Sequence, residues 1–241
     1  MMPRDDRDDV EQKSPPPPGY PLGAPLPALR SAPDWEERGE KERDRAGSPK
    51  PLPTNIALIG FMGTGKSTVG RALARRLGWR YVDTDARIEA IAGCDIPTLF
   101  ACEGEAAFRA REAQVVLGLA AGAGQVIATG GGVPLRAENA AALRTAGLVV
   151  YLTARPDVIV ARTERRAADR PLLANRGDRD LLTHVMALLG ERAPRYQQAA
   201  HLIVDTSDRS PENIAAEVAR KAEKWAVGAA VSAASAAGEG R

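Results

Sequence analysis

Cysteine and histidine are nearly missing: Cys94, Cys102, His184 and His201 are the only four in 241 residues. Two thiols eight positions apart match neither a disulfide framework nor a CxxC metal-ligand spacing, so a reducing compartment is expected and a structural metal is not. Aromatic residues are only 4%. No apolar run approaches the roughly 18 residues that a spanning helix requires, and the opening MMPRDDRDDVEQ has no apolar signal core behind its charges. Nor is there an excess of one charge: 33 Lys+Arg face 31 Asp+Glu, a formal net charge of +2. Phosphate neutralisation needs a concentrated basic face, which this balance does not predict. These absences predict a cytoplasmic protein with neither a nucleic-acid nor a membrane partner. His184 and His201 sit in helix or strand patterns and read as structural, and the two cysteines read as small core or surface residues.

What is abundant is unevenly placed. Residues 1–53 hold 12 of the 18 prolines and 20 charged side chains, including Pro15 to Pro18 and the block WEERGEKERDR from Trp35 to Arg45. Such a segment cannot bury enough apolar surface to offset its ordering entropy, so a disordered extension is expected. A ligand for an SH3-like module or a stiff spacer are the other readings of its proline run. Residues 226–241 contain seven alanines and no charged face, which predicts a frayed helix running into a loose tail. The folded unit expected is 54–225.

Within it, short β-rich runs alternate with longer amphipathic stretches. Strands are predicted at 55–59, 80–83, 125–129, 148–152 and 202–205, several of them continuously apolar as in strands covered on both faces. Helical periodicity covers 66–77, 104–119, 136–145, 156–165, 178–193 and 211–225. Strand and helix taking turns implies right-handed crossovers and a doubly wound parallel sheet, in which ligands bind beyond the carboxyl ends of the strands.

Directly after the first strand stands Gly60-Phe61-Met62-Gly63-Thr64-Gly65-Lys66-Ser67-Thr68, a complete G-x-x-x-x-G-K-[ST] pattern. Its backbone N–H groups and the following helix N-terminus suit phosphate oxygens, Lys66 reaches the outer phosphates, and Ser67 offers a hydroxyl to Mg2+. The third strand ends in Gly130-Gly131-Gly132 rather than in the Asp of a motor or switch NTPase. Bare backbone there can approach a small molecule and present N–H donors to an anion. Asp83-Thr84-Asp85 supplies two carboxylates that share a face if strand geometry persists. One can hold a hydrated metal and the other can accept a proton from a substrate hydroxyl. Arg109 has Glu112 one helical turn later to hold it. Arg170 lies in a stretch, Arg162 to Arg179, too polar for a core, which reads as a mobile lid. Arg192 precedes Pro194, which interrupts a helical pattern.

Taken together, GFMGTGKSTVGRALA, the DTD triplet at 83–85, FxxxGExxFRxxE from Phe100 to Glu112, TGGG at 129–132, RPLL from Arg170 to Leu173 and ERAPRY from Glu191 to Tyr196 resemble the shikimate kinase family. The likeness runs from Asn55 to about Lys224. It implies a P-loop NTPase fold of nucleoside-monophosphate-kinase type, a five-stranded parallel sheet with helices on both faces plus lid and substrate-binding segments. It implies ATP- and Mg2+-dependent phosphorylation of shikimate. Under the resemblance Asp85 binds ring hydroxyls and takes the attacking proton. Arg109, Arg192 and Gly130 to Gly132 hold the substrate carboxylate. Gly63 to Thr68 hold the phosphates, Lys66 and Arg170 stabilise charge during transfer, and Ser67 and Asp83 serve the metal. Arg162, Arg209 and Pro211 flank the adenine. A monomer is expected. The competing readings are a gluconate-type or nucleoside monophosphate kinase, and a non-catalytic nucleotide-binding module.

Overall fold

The computed structural model describes residues 52–164 and 180–238. Five short β-rich runs form the strands β1 (Asn55–Ile59), β2 (Arg80–Asp83), β3 (Gln125–Ala128), β4 (Leu148–Thr153) and β5 (Leu202–Asp205). Among the described residues the helices are α1 (Lys66–Leu77), α2 (Thr84–Ala92), α3 (Ile96–Ala120), α4 (Ala137–Ala146), α5 (Pro156–Thr163), α6 (Leu181–Ala199) and α7 (Pro211–Gly238), with a 3-10 turn at Val133–Leu135. The strands form one parallel sheet of order β2-β3-β1-β4-β5, as the alternation predicts. Consecutive strands in the chain cannot be joined by hairpins when all are parallel, so each connection carries a helix across a face.

Alternation along the strands sorts the two faces. Ile56 and Leu58 of β1 bury against Val69 and Leu73 of α1 and Ile214 and Val218 of α7, while Ala57 and Ile59 face Val116, Leu143, Ile159 and Tyr196 from the helices on the other side. A third cluster joins Val82 of β2 and Ile127 of β3 to Ile88 of α2 and Leu99, Phe108 and Val115 of α3. Leu52 already packs against the first cluster, just outside the expected boundary at 54. At the β4–β5 seam His201 is structural: its Nδ1 accepts the Val149 N–H at 3.0 Å, and burial lowers its pKa. Cys94 is half-buried and Cys102 exposed, both as free thiols. Among the described residues no helix is long and apolar enough to cross a membrane.

Three local expectations fail, each for a physical reason. Strand geometry does not persist through Asp83-Thr84-Asp85. Asp83 is the N-cap of α2, its carboxylate accepting the Asp85 N–H at 3.1 Å, and an Asp in that role starts a helix. The helix expected from 104 begins at Ile96 with Asp95 as its cap, and position 104 is instead an internal break where Gly104 takes φ 79° and ψ 174°. Pro194 does not end α6. Its missing N–H costs about 3 kcal/mol, which is offset in large part beyond the proline by burial of Tyr196, at about 1.5–3 kcal/mol, and by the bond from the Tyr196 hydroxyl to the Gly131 carbonyl. The last helix runs past 225 to Gly238, in keeping with the helix expected to continue into 226–241. The leader 1–51 and most of the expected lid, residues 165–179 with Arg170, lie outside the described residues.

Candidate active site

The sheet order decides which loops meet. The carboxyl ends of β2, β3 and β1 are neighbours, so the DTD triplet, the glycine triplet and the glycine-rich loop open onto one crevice, with the loops after β4 and β5 on the far side of β1.

On the β1 side, Gly63 and Gly65 take φ 77° and 88°, left-handed values that turn the loop into α1. The N-terminus of α1 has no side-chain cap and no acid in its first turn, so its positive end meets the loop unopposed. Thr64 is buried and braces the loop through its Oγ1 to the Phe61 carbonyl at 2.7 Å. Lys66 folds back, its Nζ donating to the carbonyls of Gly60 at 2.9 Å and Phe61 at 2.8 Å. Ser67 Oγ donates to Asp83 Oδ2 at 3.2 Å. The same carboxylate oxygen accepts the Tyr81 hydroxyl at 3.0 Å, and burial drives the Tyr81 pKa up to about 12, which keeps that donor protonated. An uncapped helix end, a glycine loop and a Ser–Asp pair fit a magnesium triphosphate, since Mg2+ takes few protein ligands and keeps the rest as phosphate and water.

Arg162 binds this region to β5, donating to the Gly63 carbonyl at 3.3 Å and the Thr206 carbonyl at 2.8 Å, while Thr206 Oγ1 donates to the Thr64 carbonyl at 3.0 Å. Arg209 and Pro211 stand at the start of α7, where Arg209 donates to the Asp205 carbonyl at 3.1 Å and pairs with Glu217 at 2.6 Å. Thr206, which the sequence reading passed over, thus joins the phosphate loop to the fifth strand. No spacing rule links positions 142 residues apart.

On the β2–β3 side the glycine triplet is pressed by two charged groups. A Cβ at Gly130 would lie 2.5 Å from Asp85 Oδ1, and one at Gly132 would lie 2.5 Å from Arg109 Nη1. Only glycine lets both approach. The Gly130 N–H, expected as an anion donor, is instead committed to Thr84 Oγ1 at 2.8 Å. The helical start at Thr84 brings that hydroxyl under the triplet. The Gly131 carbonyl accepts the Tyr196 hydroxyl at 2.7 Å. Arg192 stands over the Phe61 ring at 5.8 Å and beside Tyr196, where its charge opposes the rise that burial imposes on the Tyr196 hydroxyl.

Arg109 is held as its spacing predicts. Its Nη1 donates to both oxygens of buried Glu112 at 3.1 Å, and its Nε and Nη2 reach exposed Glu105 Oε1 at 3.3 Å. Burial raises the Glu112 pKa against the opposing pull of Arg109. Burial likewise raises Asp85 above the ordinary carboxylate range, with neighbouring Asp83 adding to the effect and Lys66 opposing it. A desolvated carboxylate with raised proton affinity, beside a phosphate loop and a half-exposed guanidinium, is equipped to receive a hydroxyl proton from a small acid.

The profile of the shikimate kinase family matches residues 62–223. This chain belongs to the shikimate kinase family. The shikimate kinase of Symbiobacterium thermophilum is 47% identical over 171 residues, covering 70% of this chain and 97% of the relative. That of Ralstonia nicotianae is 45% identical over 153 residues, covering 64% and 78% respectively. Among solved structures, the shikimate kinase from Acinetobacter baumannii in complex with shikimate superposes with a TM-score of 0.65 at 38% identity, over 71% of this chain and 93% of that one. The five-stranded parallel sheet is therefore the P-loop kinase fold of the shikimate kinases. Within that framework Thr84, Tyr81, Tyr196 and Glu105 are polar contacts of the site which residue-by-residue reading did not single out for a role, although the DTD, ERAPRY and GE motifs contain three of them.

Proposed function

We propose that this chain transfers the terminal phosphoryl group of ATP to the 3-hydroxyl of shikimate, giving shikimate 3-phosphate and ADP on the route to chorismate and the aromatic amino acids. The carrying observation is the approach of Asp85 and Arg109 to opposite ends of one glycine triplet, a strand away from the phosphate loop. That geometry suits a ligand with an alcohol at one end and a carboxylate at the other.

Gly63 to Thr68 and the N-terminus of α1 would hold the phosphates, and Ser67 with Asp83 would hold Mg2+. When bound, MgATP supplies the phosphoryl group and neutralises charge on the leaving oxygens. Lys66 exchanges its two loop carbonyls for phosphate oxygens. Arg109, kept in place by Glu112, and Arg192, braced on Phe61, take the substrate carboxylate, for which planar guanidinium geometry is suited. Asp85 orients the hydroxyl and accepts its proton at a carboxylate oxygen, and the raised pKa makes it a better base than a solvated Asp. Arg162, Arg209 and Pro211 border the adenine side. The role of Arg170, as a cation on the transferring group, rests on its RPLL motif.

We assign a cytoplasmic monomer whose catalytic unit is 54–225, on the likeness to the family. Sedimentation of the purified protein at the mass of one chain supports the monomer, and deletion of 1–50 is expected to leave turnover unchanged. The function is tested by ADP release with shikimate, gluconate and AMP in parallel. Stimulation by shikimate alone is expected, and no stimulation by shikimate ends the proposal.

A further inference from the structure

The break in α3 at Gly104 is not forced by crowding, because a Cβ there would meet nothing within 4 Å. Glycine is needed only for its left-handed φ, and the main-chain ladder alone does not fix the angle between 96–103 and 105–120. The two halves carry different parts of the site. Ile96–Glu103 is tied to α2 through the Ile96 N–H, which donates to Glu89 Oε1 at 3.1 Å, and through Leu99 packed with Ile88; α2 carries Asp85 in its first turn. The half beyond the break carries Arg109.

Among the described residues, two of the contacts that cross the break stand out. One is Phe100 against Phe108, with ring centroids 4.6 Å apart, an apolar contact that tolerates sliding. The other is directional: Arg111 Nη2 donates to both Glu103 oxygens at 2.9 Å, and its Nε donates to Oε2 at 3.2 Å. Arg111 is 7% exposed. Two residues from Arg109 on a helix, it projects about 200° around the axis from it, onto Glu103. A guanidinium that deeply covered requires its carboxylate, and a fork-on-fork pair accepts only a narrow range of geometry.

We propose that Glu103 and Arg111 form a clasp across the Gly104 break that sets the distance between Asp85 and Arg109, making both positioning residues for the small acid and not for the nucleotide. The proposal rests on the shikimate reading above.

The test uses the full chain with Arg111→Met, which keeps the apolar stem, and Glu103→Gln, with Arg111→Lys as a milder variant that keeps the charge and loses the fork. The expected result is a shikimate KM higher by on the order of tenfold, with the ATP KM unchanged and kcat within about twofold, and Arg111→Lys in between. Hydrogen exchange of the ligand-free variants should quicken over 85–103 while that of α1 and α7 stays unchanged. An unaltered shikimate KM with unaltered exchange overturns the clasp, and so does a parallel rise in both KM values or faster exchange throughout, which marks general loosening. If the methionine variant does not fold, the lysine variant carries the same decision. A wild type that ignores shikimate sinks the functional reading instead, and the exchange pattern still decides the clasp.

Discussion

The two sides of the crevice are built on different principles. Over β1, β4 and β5 the loop is a main-chain object: Thr64, Lys66, Arg162 and Thr206 each donate to backbone carbonyls. Over β2 and β3 the working groups are charged side chains from α2 and α3 brought against bare glycine, with the Asp85 and Glu112 carboxylates largely stripped of water. A backbone cradle loses little when one neighbouring side chain changes. A desolvated charge left without its partner is costly. Substitutions on the β2–β3 side should therefore hurt more per atom removed, and should do so through the small acid while sparing the nucleotide.

The largest effect is expected at Asp85. Asp85→Asn should lower kcat by roughly 10²–10⁴-fold with the ATP requirement unchanged, as measured by steady-state ADP release. Near-normal turnover would remove Asp85 from proton transfer. Because the folded pKa is raised, the ionised form disfavours folding at neutral pH. The same substitution should therefore raise the melting temperature at pH 8, and the gain should fade as pH falls through the raised value towards the ordinary 3.8. The acid limb of the wild-type kcat profile should lie above the usual carboxylate range for the same reason.

Next comes Arg109→Ala, expected to weaken shikimate binding by about 2–5 kcal/mol, since it also strands buried Glu112. An unchanged requirement would remove Arg109 from carboxylate binding. Gly132→Ala should follow with a rise in shikimate KM of about tenfold, because the new methyl meets the far end of a side chain that can give way at the cost of its alignment. The smallest effect has the opposite sign. Glu105, 70% exposed, occupies the Nε and Nη2 edge of Arg109 that a substrate carboxylate would use. Glu105→Gln should lower the shikimate KM by about two- to threefold, in keeping with the small value of an exposed pair. A higher KM would show that Glu105 aims the guanidinium and does not compete for it.

The same contrast governs what could be read from residues alone. The phosphate loop is contiguous, so its motif carries both the fold position and the chemistry, and the apolar strands around it fix the sheet. The other side is assembled from distant segments. Arg109 and Glu112 were legible because they lie one turn apart, whereas the bond from Tyr196 to Gly131 joins groups that only the packed fold brings together. Glu103 and Arg111 sit eight apart over a backbone break, a spacing that no helical rule pairs. Helix α2 was missed although Asp83 is a good cap, because the triplet directly follows a strand and its carboxylates drew a period-two reading.

The bare leading end of α1 has a thermodynamic consequence. With no acid and no capping side chain in its first turn, the folded state carries an electrostatic debt there that an anion discharges. Linkage then couples folding to nucleotide supply: at a hundred times its Kd, a ligand bound only by the native form adds about 2.7 kcal/mol of stability. The melting temperature of the chain thus gauges how full its cradle is, and a starved cell would hold a softer enzyme than a fed one.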